Sequence, residues 1–383
     1  MFKIGRKDAP PTEAKASATG RIAAWGSGGR AVWGPRDASS LVRTGFLDNP
    51  VGFRAVKLIA EAAAAVPLTC GDGTAPFEAH GLLDLLARPN PAQGRGEWLE
   101  ALFGQILLSG NGYVEAVGGV GLPVELHVLR SDRMAVVPGS DGWPVAYDYA
   151  VGGRKHRFRV GEVSPICHLR AFHPQDDHYG LSPMQAAAGA VEVHNAASRW
   201  SKGLLDNAAR PSGAIVHQGE AELSPDQFDR LSAELEANHQ GARNAGRPML
   251  LEGGLDWKPM GFSPSDMEFQ KTKEAAAREI ATAFGVPPMM LGIPGDATYA
   301  NYVEANRAFY RLTVMPLVGK VCEGLSHWMS QYAGERLVIA ADRDRVPALG
   351  AERDAEWARI AASDFLTADE KRRLLGLAPM DGA

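Results

Sequence analysis

Three histidines, His168, His173 and His178, recur at five-residue intervals around Asp176 and Asp177, and imidazoles mixed with carboxylates can bind metal or move protons. Five-residue spacing gives them no shared face on a helix or a strand, whose periods are 3.6 and 2. They read as loop residues. Asp342 and Asp344 follow a β-prone run and could hold Mg²⁺, but Arg343 and Arg345 interleave with them, so local ion pairing is expected. The sequence contains no GxxxxGK[ST] phosphate cradle and no GxSxG nucleophile elbow. The run Gly118-Gly119-Val120-Gly121 sits between strand-like segments, which predicts a hairpin turn rather than a phosphate loop. Cys70, Cys167 and Cys322 lack CxxC spacing and read as reduced core thiols. No catalytic, cofactor-binding or metal-binding set emerges, so neither an enzyme nor a cofactor is expected.

The elements are more informative than the reactive groups. Two long helical patterns flank a short insert. The first opens at Ser182-Pro183, a cap followed by proline at the first helical position, and runs over 183–209. The second occupies 263–286 and stops at Gly285-Val286-Pro287-Pro288. A helix of about 24 residues is about 36 Å long. Rods of that length with little core of their own need neighbouring subunits to cover them, so the chain looks built to assemble rather than to catalyse. Between them, 210–262 reads as strand–helix–strand: Ala214-Ile215-Val216, a helix opened by Ser224-Pro225-Asp226-Gln227, and Met249-Leu250-Leu251. Phe228, Leu231 and Leu235 form the apolar stripe of that helix.

Residues 41–182 have a mixed texture. A helix should begin at Asn49-Pro50, with Phe53, Val56, Ile59 and Ala63 on one side. A second should run from about Gly96 to Ser109, with Trp98, Leu99, Leu102, Phe103, Ile106 and Leu107 inward. Short β-prone runs follow, as in Tyr113–Val117, Leu126–Leu129 and Met134–Val137. The fold class is therefore α+β. Beyond the second rod, Pro294-Gly295-Asp296-Ala297-Thr298-Tyr299 is a loop whose glycine lets backbone move. A helix is expected from Asn301 to about Tyr332, kinked at Pro316, followed by a strand at 337–340 and, within 351–383, a last helix from the Thr367/Glu370 capping box to Leu375, closed by Gly376.

Bulk properties narrow the partners. The 383 residues carry a net charge of -5, with 45% hydrophobic and 22% charged residues, enough for two or three domains and without a global basic footprint. Lys202, Lys271 and Lys273 lie on the rods and could meet phosphates if the rods line a channel; a solvated helix face is the plainer reading. No run approaches about 18 apolar residues, so no membrane span is expected. Residues 1–40, rich in Gly, Ala, Ser and Pro, read as a flexible arm without a hydrophobic signal core.

Several segments together resemble the HK97-type branch of the tailed-phage portal proteins. They are Asn49-Pro50 with Val66-Pro67-Leu68, His80-Gly81-Leu82-Leu83 with Arg88-Pro89-Asn90-Pro91, Ser109-Gly110-Asn111-Gly112-Tyr113, and Tyr179-Gly180-Leu181-Ser182-Pro183. Asn207-Ala208-Ala209-Arg210-Pro211-Ser212-Gly213, Phe284-Gly285-Val286-Pro287-Pro288 and Tyr299-Ala300-Asn301-Tyr302-Val303-Glu304 follow in the same order. The resemblance implies a portal fold: an α/β wing at 41–182, stem helices at 183–209 and 263–286, and a clip at 210–262. It further implies a tunnel-loop region at 287–300, a kinked helix and wing strand at 301–350, and a short crown at 351–383. It implies a homo-oligomeric ring, usually of twelve subunits, at one capsid vertex of the virion, assembled in the host cytoplasm. Double-stranded DNA would pass through its lumen. The partners implied are large terminase, a head-completion or adaptor protein and the major capsid protein. Compactness and composition fit a small capsid or a prophage-derived gene transfer agent. Two rival readings remain: a DNA-processing enzyme with an unseen site, and a monomeric scaffold or adaptor.

Overall fold

A computed structural model describes residues 38–118, 121–206, 213–217, 230, 255–259, 264–295 and 298–375. The chain divides into two compact units, one comprising 1–189 with 278–383 and the other 190–277.

The larger unit is α+β. After α1 (Ala38–Val42) and a π-turn (Arg43–Leu47), helix α2 (Pro50–Ala64) starts where Asn49 Oδ1 accepts the Gly52 amide at 2.8 Å. Its inward face is small and aliphatic, with Ala55, Val56, Ile59, Ala60 and Ala63 buried. Phe53, expected on that face, is instead exposed and packs on Phe46 with ring centroids 5.0 Å apart. Helix α3 (Gly81–Ala87) follows, and small residues let α2 lie close to α4 (Arg95–Ser109), whose six predicted inward residues are all buried.

Two three-stranded sheets share a core. The first has the order β3 (Glu125–Leu129), β2 (Asn111–Val117), β7 (Ile166–Arg170); the second runs β4 (Met134–Pro138), β5 (Pro144–Val151), β6 (Arg154–Arg159). All pairs are antiparallel. Tyr113, Leu129, Met134, Tyr147, Phe158 and Ile166 interlock between them. Strand β2 is buried along its first four residues because it is central and backed by α4. The segment Gly118–Gly121 does join antiparallel neighbours, although Gly119 and Val120 lie outside the described residues.

The chain's late segments return to this unit. β1 (Leu68–Gly71) pairs with β10 (Val338–Ala341), Leu68 opposite Ala341. Helix α9 (Met315–Ala333) covers the other edge of that ribbon through two hydroxyls one turn apart: Ser326 Oγ accepts the Ile339 amide at 2.8 Å and Ser330 Oγ the Leu337 amide at 2.9 Å. The long helix predicted from Asn301 to Tyr332 is in three pieces: α8 (Tyr299–Phe309), a π-turn (Tyr310–Val314) and α9. The irregularity falls just before Pro316 rather than at it. Widening the turn there lets proline occupy a first-turn position, where its missing N–H costs no helical bond. The terminal helices are α10 (Gly350–Ala361) and α11 (Ala368–Leu374), the latter opened by the complete Thr367/Glu370 capping box.

The smaller unit holds the described residues of α6 (Ala188–Asp206) from Ala190, and those of α7 (Pro264–Ala283) up to Ala277. It also contains an antiparallel pair, β8 (Gly213–His217) and β9 (Leu255–Pro259). The partner of Gly213–His217 is thus 255–259; Met249–Leu251, expected to be that strand, lies outside the described residues. The first rod also starts differently, as a short α5 (Pro183–Ala186) separated by Ala187 from α6.

Candidate functional site

The motif Ser109-Gly110-Asn111 meets the motif Tyr179-Gly180-Leu181-Ser182 at the foot of the first rod. Gly110 ends α4 in the left-handed region (φ 77°), and its backbone crosses that of Gly180. A Cβ on Gly180 would lie 2.1 Å from the Gly110 carbonyl oxygen; one on Gly110 would lie 2.3 Å from the Gly180 oxygen. Two chains cross this closely only where both lack side chains. Asn111 rivets the crossing. Its Oδ1 accepts the Gly180 amide at 2.8 Å, while its Nδ2 donates to the Ser109 carbonyl at 2.8 Å. Ser182, buried, then caps α5 by accepting the Gln185 amide at 2.9 Å.

The same Asn111 Oδ1 lies 3.0 Å from His168 Nε2, so this nitrogen carries the hydrogen and His168 is the Nε2–H tautomer. His168 is therefore a structural strand residue on β7 and not the loop residue expected; its ring stacks on Tyr113 at 4.2 Å. Burial, with Arg170 and His178 adding repulsion, pushes its pKa down to about 3. Of the other two histidines, His173 accepts the Gln175 amide through Nδ1 at 3.1 Å and His178 is buried. No metal-binding group of three or more His, Cys, Asp or Glu occurs among the described residues.

A second junction lies where the other rod ends. Gly285 (φ 66°) closes α7 with a double bond pattern: the Val286 amide donates to Ala281 O at 2.9 Å and the Gly285 amide to Thr282 O at 3.0 Å. The Gly285 carbonyl then accepts Thr313 Oγ1 at 2.6 Å, tying the helix end to the π-turn. From the last turns of α7, Arg278 donates through Nη2 to the Pro294 carbonyl. Of the predicted loop, Pro294 and Gly295 are exposed, Asp296 and Ala297 lie outside the described residues, Thr298 caps α8 by accepting the Asn301 amide at 3.2 Å, and Tyr299 is its first residue. The helix thus starts two residues before Asn301.

In the smaller unit Lys202 and Lys271 are exposed, and Lys273 is half-buried. Burial lowers the His194 pKa, and the Lys273 charge lowers it further. Trp200 and Phe269 stack at 4.2 Å, an inter-rod tie that sequence reading missed because each residue alone looks like a surface aromatic. Phe228, Leu231 and Leu235 lie outside the described residues. Among the described residues, Asp342 and Asp344 make no ion pair with Arg343 or Arg345; the Asp344 carbonyl instead accepts Arg353 Nη1 at 2.9 Å. A tight 3₁₀ turn at Arg343–Arg345 points neighbouring side chains apart. The three cysteines are buried and free, with pKa values raised by burial to about 11 for Cys70 and about 12 for Cys167 and Cys322, which makes them poor nucleophiles.

The family model described as phage portal protein matches residues 50–376. In a solved structure titled the neck of an empty GTA particle, computed with C6 symmetry, one chain is 69% identical. The match covers 92% of this chain and 96% of that one, with TM-score 0.78. A chain in the neck of a native GTA particle, computed with C12 symmetry, is also 69% identical over 92% and 96%, with TM-score 0.75. The portal protein of Enterobacteria phage HK97 is 26% identical over 94% of this chain and 89% of its own. The chain belongs to the phage portal protein family, in its HK97-type branch that includes gene transfer agents. That family is a structural, non-enzymatic component of the capsid.

Proposed function

We propose that this chain is the portal subunit of a gene transfer agent or similar phage-like particle, closing into a twelve-subunit ring at one capsid vertex. The observation that carries the reading is the 69% identity, over 92% of the chain, to a protein of the GTA particle neck. Ring closure supplies the neighbours that the rods need, because a head-to-tail interface that closes leaves no open face. In this reading 41–182 form the wing, 183–209 and 263–286 the stem, 210–262 the clip and 351–383 the crown. DNA is threaded by a separate motor. Terminase, and later a head-completion protein, dock at the clip through Phe228, Leu231 and Leu235, and the major capsid protein surrounds the wing.

The loop Pro294–Tyr299 faces the DNA. Arg278 and Thr298 anchor its two ends. Lys202, Lys271 and Lys273 give the lumen scattered cations rather than a dense basic lining. A conduit gains from that sparseness, since each phosphate contact must be broken at every step. Deleting Gly295–Thr298 should leave rings and capsids intact while lowering the DNA content of particles. Normally filled particles would remove the loop from the channel.

A further inference from the structure

Strand β6 is the outer edge of the β4-β5-β6 sheet and reads Arg154-Lys155-His156-Arg157-Phe158-Arg159. Phe158 is buried in the core between the sheets, and His156 packs edge-on against its ring at 4.5 Å. Side chains alternate along a strand, so Lys155, Arg157 and Arg159 occupy the opposite face at intervals of about 6.8 Å. All three are exposed. The register sets them beside Ala150, Asp148 and Ala146 of β5, with Ala135 and Val137 of β4 beyond. This face is low and alanine-rich, and it has no large aromatic side chain in its register rows.

Its one carboxylate in those rows is committed. Asp148 accepts Arg157 Nε at 2.6 Å and Nη2 at 2.8 Å, and that pairing holds its carboxyl below the usual carboxylate range. Lys155 and Arg159 make no ion pair among the described residues. The Lys155 charge also acts on Asp148, so three strand cations face one carboxylate, on a chain whose overall charge is -5. Protein partners are held by buried aromatic and aliphatic anchors, which this face lacks. Surfaces that hold nucleic acid are polar and positive and bind through phosphate.

We propose that the outer face of the β4-β5-β6 sheet is a sequence-independent contact for the phosphate backbone of duplex DNA. Lys155 and Arg159 are its principal ligands, and Arg157 is held extended between them by Asp148. The contact goes beyond the channel reading, since no lumen element belongs to this sheet. With a surplus of two cations over carboxylates in each subunit it is shallow and salt-sensitive, suited to DNA resting against the particle's inner parts rather than DNA in transit.

The test uses the full-length protein in its assembled state and a fluorescently labelled duplex of about 30 base pairs, with binding read by anisotropy from 50 to 200 mM NaCl. Each phosphate neutralised contributes about 0.9 to the slope of log K against log salt. Lys155→Gln with Arg159→Gln should therefore flatten the slope by about 1.8, so that the loss of affinity across that salt range shrinks by about 12-fold. The charge-keeping pair Lys155→Arg with Arg159→Lys should bind as the native protein does. An unchanged slope in the glutamine variant, or no binding by the native protein at 50 mM, overturns the proposal. So does an unchanged slope accompanied by failed incorporation into capsids, which would assign the face to an acidic protein. If only Lys202→Gln, Lys271→Gln and Lys273→Gln together alter the slope, the contact lies on the rods; the sheet proposal fails and the portal reading stands.

Discussion

Replacing Gly180 with alanine sets a Cβ 2.1 Å from the Gly110 carbonyl oxygen and 2.6 Å from the Ala171 nitrogen. Both obstacles are backbone, so no side chain can rotate away. The crossing must open, and opening it strains or breaks two bonds: Ala171 N–H to Gly110 O at 2.8 Å and Gly180 N–H to Asn111 Oδ1 at 2.8 Å. Overpacking of a tight site costs about 1–3 kcal/mol. Each lost hydrogen bond adds about 1 kcal/mol. A total of about 3–5 kcal/mol is expected, a large share of ordinary stability. Gly104 provides the internal contrast. It lies inside α4, and a Cβ there meets nothing within 4 Å. Gly104→Ala should stabilise by up to about 1 kcal/mol through helix propensity and a less flexible unfolded chain. Urea unfolding followed by tryptophan fluorescence, with fully buried Trp98 as one reporter, measures both. If Gly180→Ala falls within about 1 kcal/mol of the native protein, or Gly104→Ala is destabilised to the same degree, the interlocked junction is not what fixes this part of the fold.

The neutral, half-buried His168 predicts a pH dependence. Unfolding restores an ordinary imidazole pKa of about 6.5, whereas the folded value is about 3, so between those values the unfolded chain binds more protons. Stability contributed by this site is complete above pH 6.5 and falls as pH drops toward 3, by about 2 kcal/mol between pH 6.5 and 5. His168→Gln should flatten that part of the stability curve measured by urea unfolding; an equal slope in both proteins would refute the assignment. At the proposed clip, Phe228→Asp with Leu231→Asp should weaken docking of the proposed terminase or adaptor by at least 10-fold in a pull-down or interferometry assay, and unchanged docking would remove these residues from the proposed interface.

Local signals were the legible ones. Asn49-Pro50, the α4 stripe and the Thr367/Glu370 box each specify their element within a few residues, through caps and periodicity that need no partner. The pairing of β1 with β10 was not legible, because four-residue strands carry no label for a partner distant in sequence. Pro316 signalled an irregular helix but not its form: the π-turn precedes it, and within that turn Thr313 bonds the Gly285 carbonyl, a contact between segments distant in sequence. Asn111, Gly110 and Gly180 were visible as motif residues, yet the crossing that explains them exists only once α4, β7 and the rod's foot are brought together. The same holds for Arg278, an ordinary helix-surface cation until the loop carbonyl it binds is seen.

The proposed function requires this chain to close a ring around DNA. Native mass spectrometry of the purified protein, with symmetry from electron-microscopy class averages, tests it most directly. A species of twelve times the 40.9 kDa chain mass is expected, with a central pore wide enough for duplex DNA. A protein that stays monomeric, both alone at high concentration and when supplied with its capsid and scaffold, would contradict it.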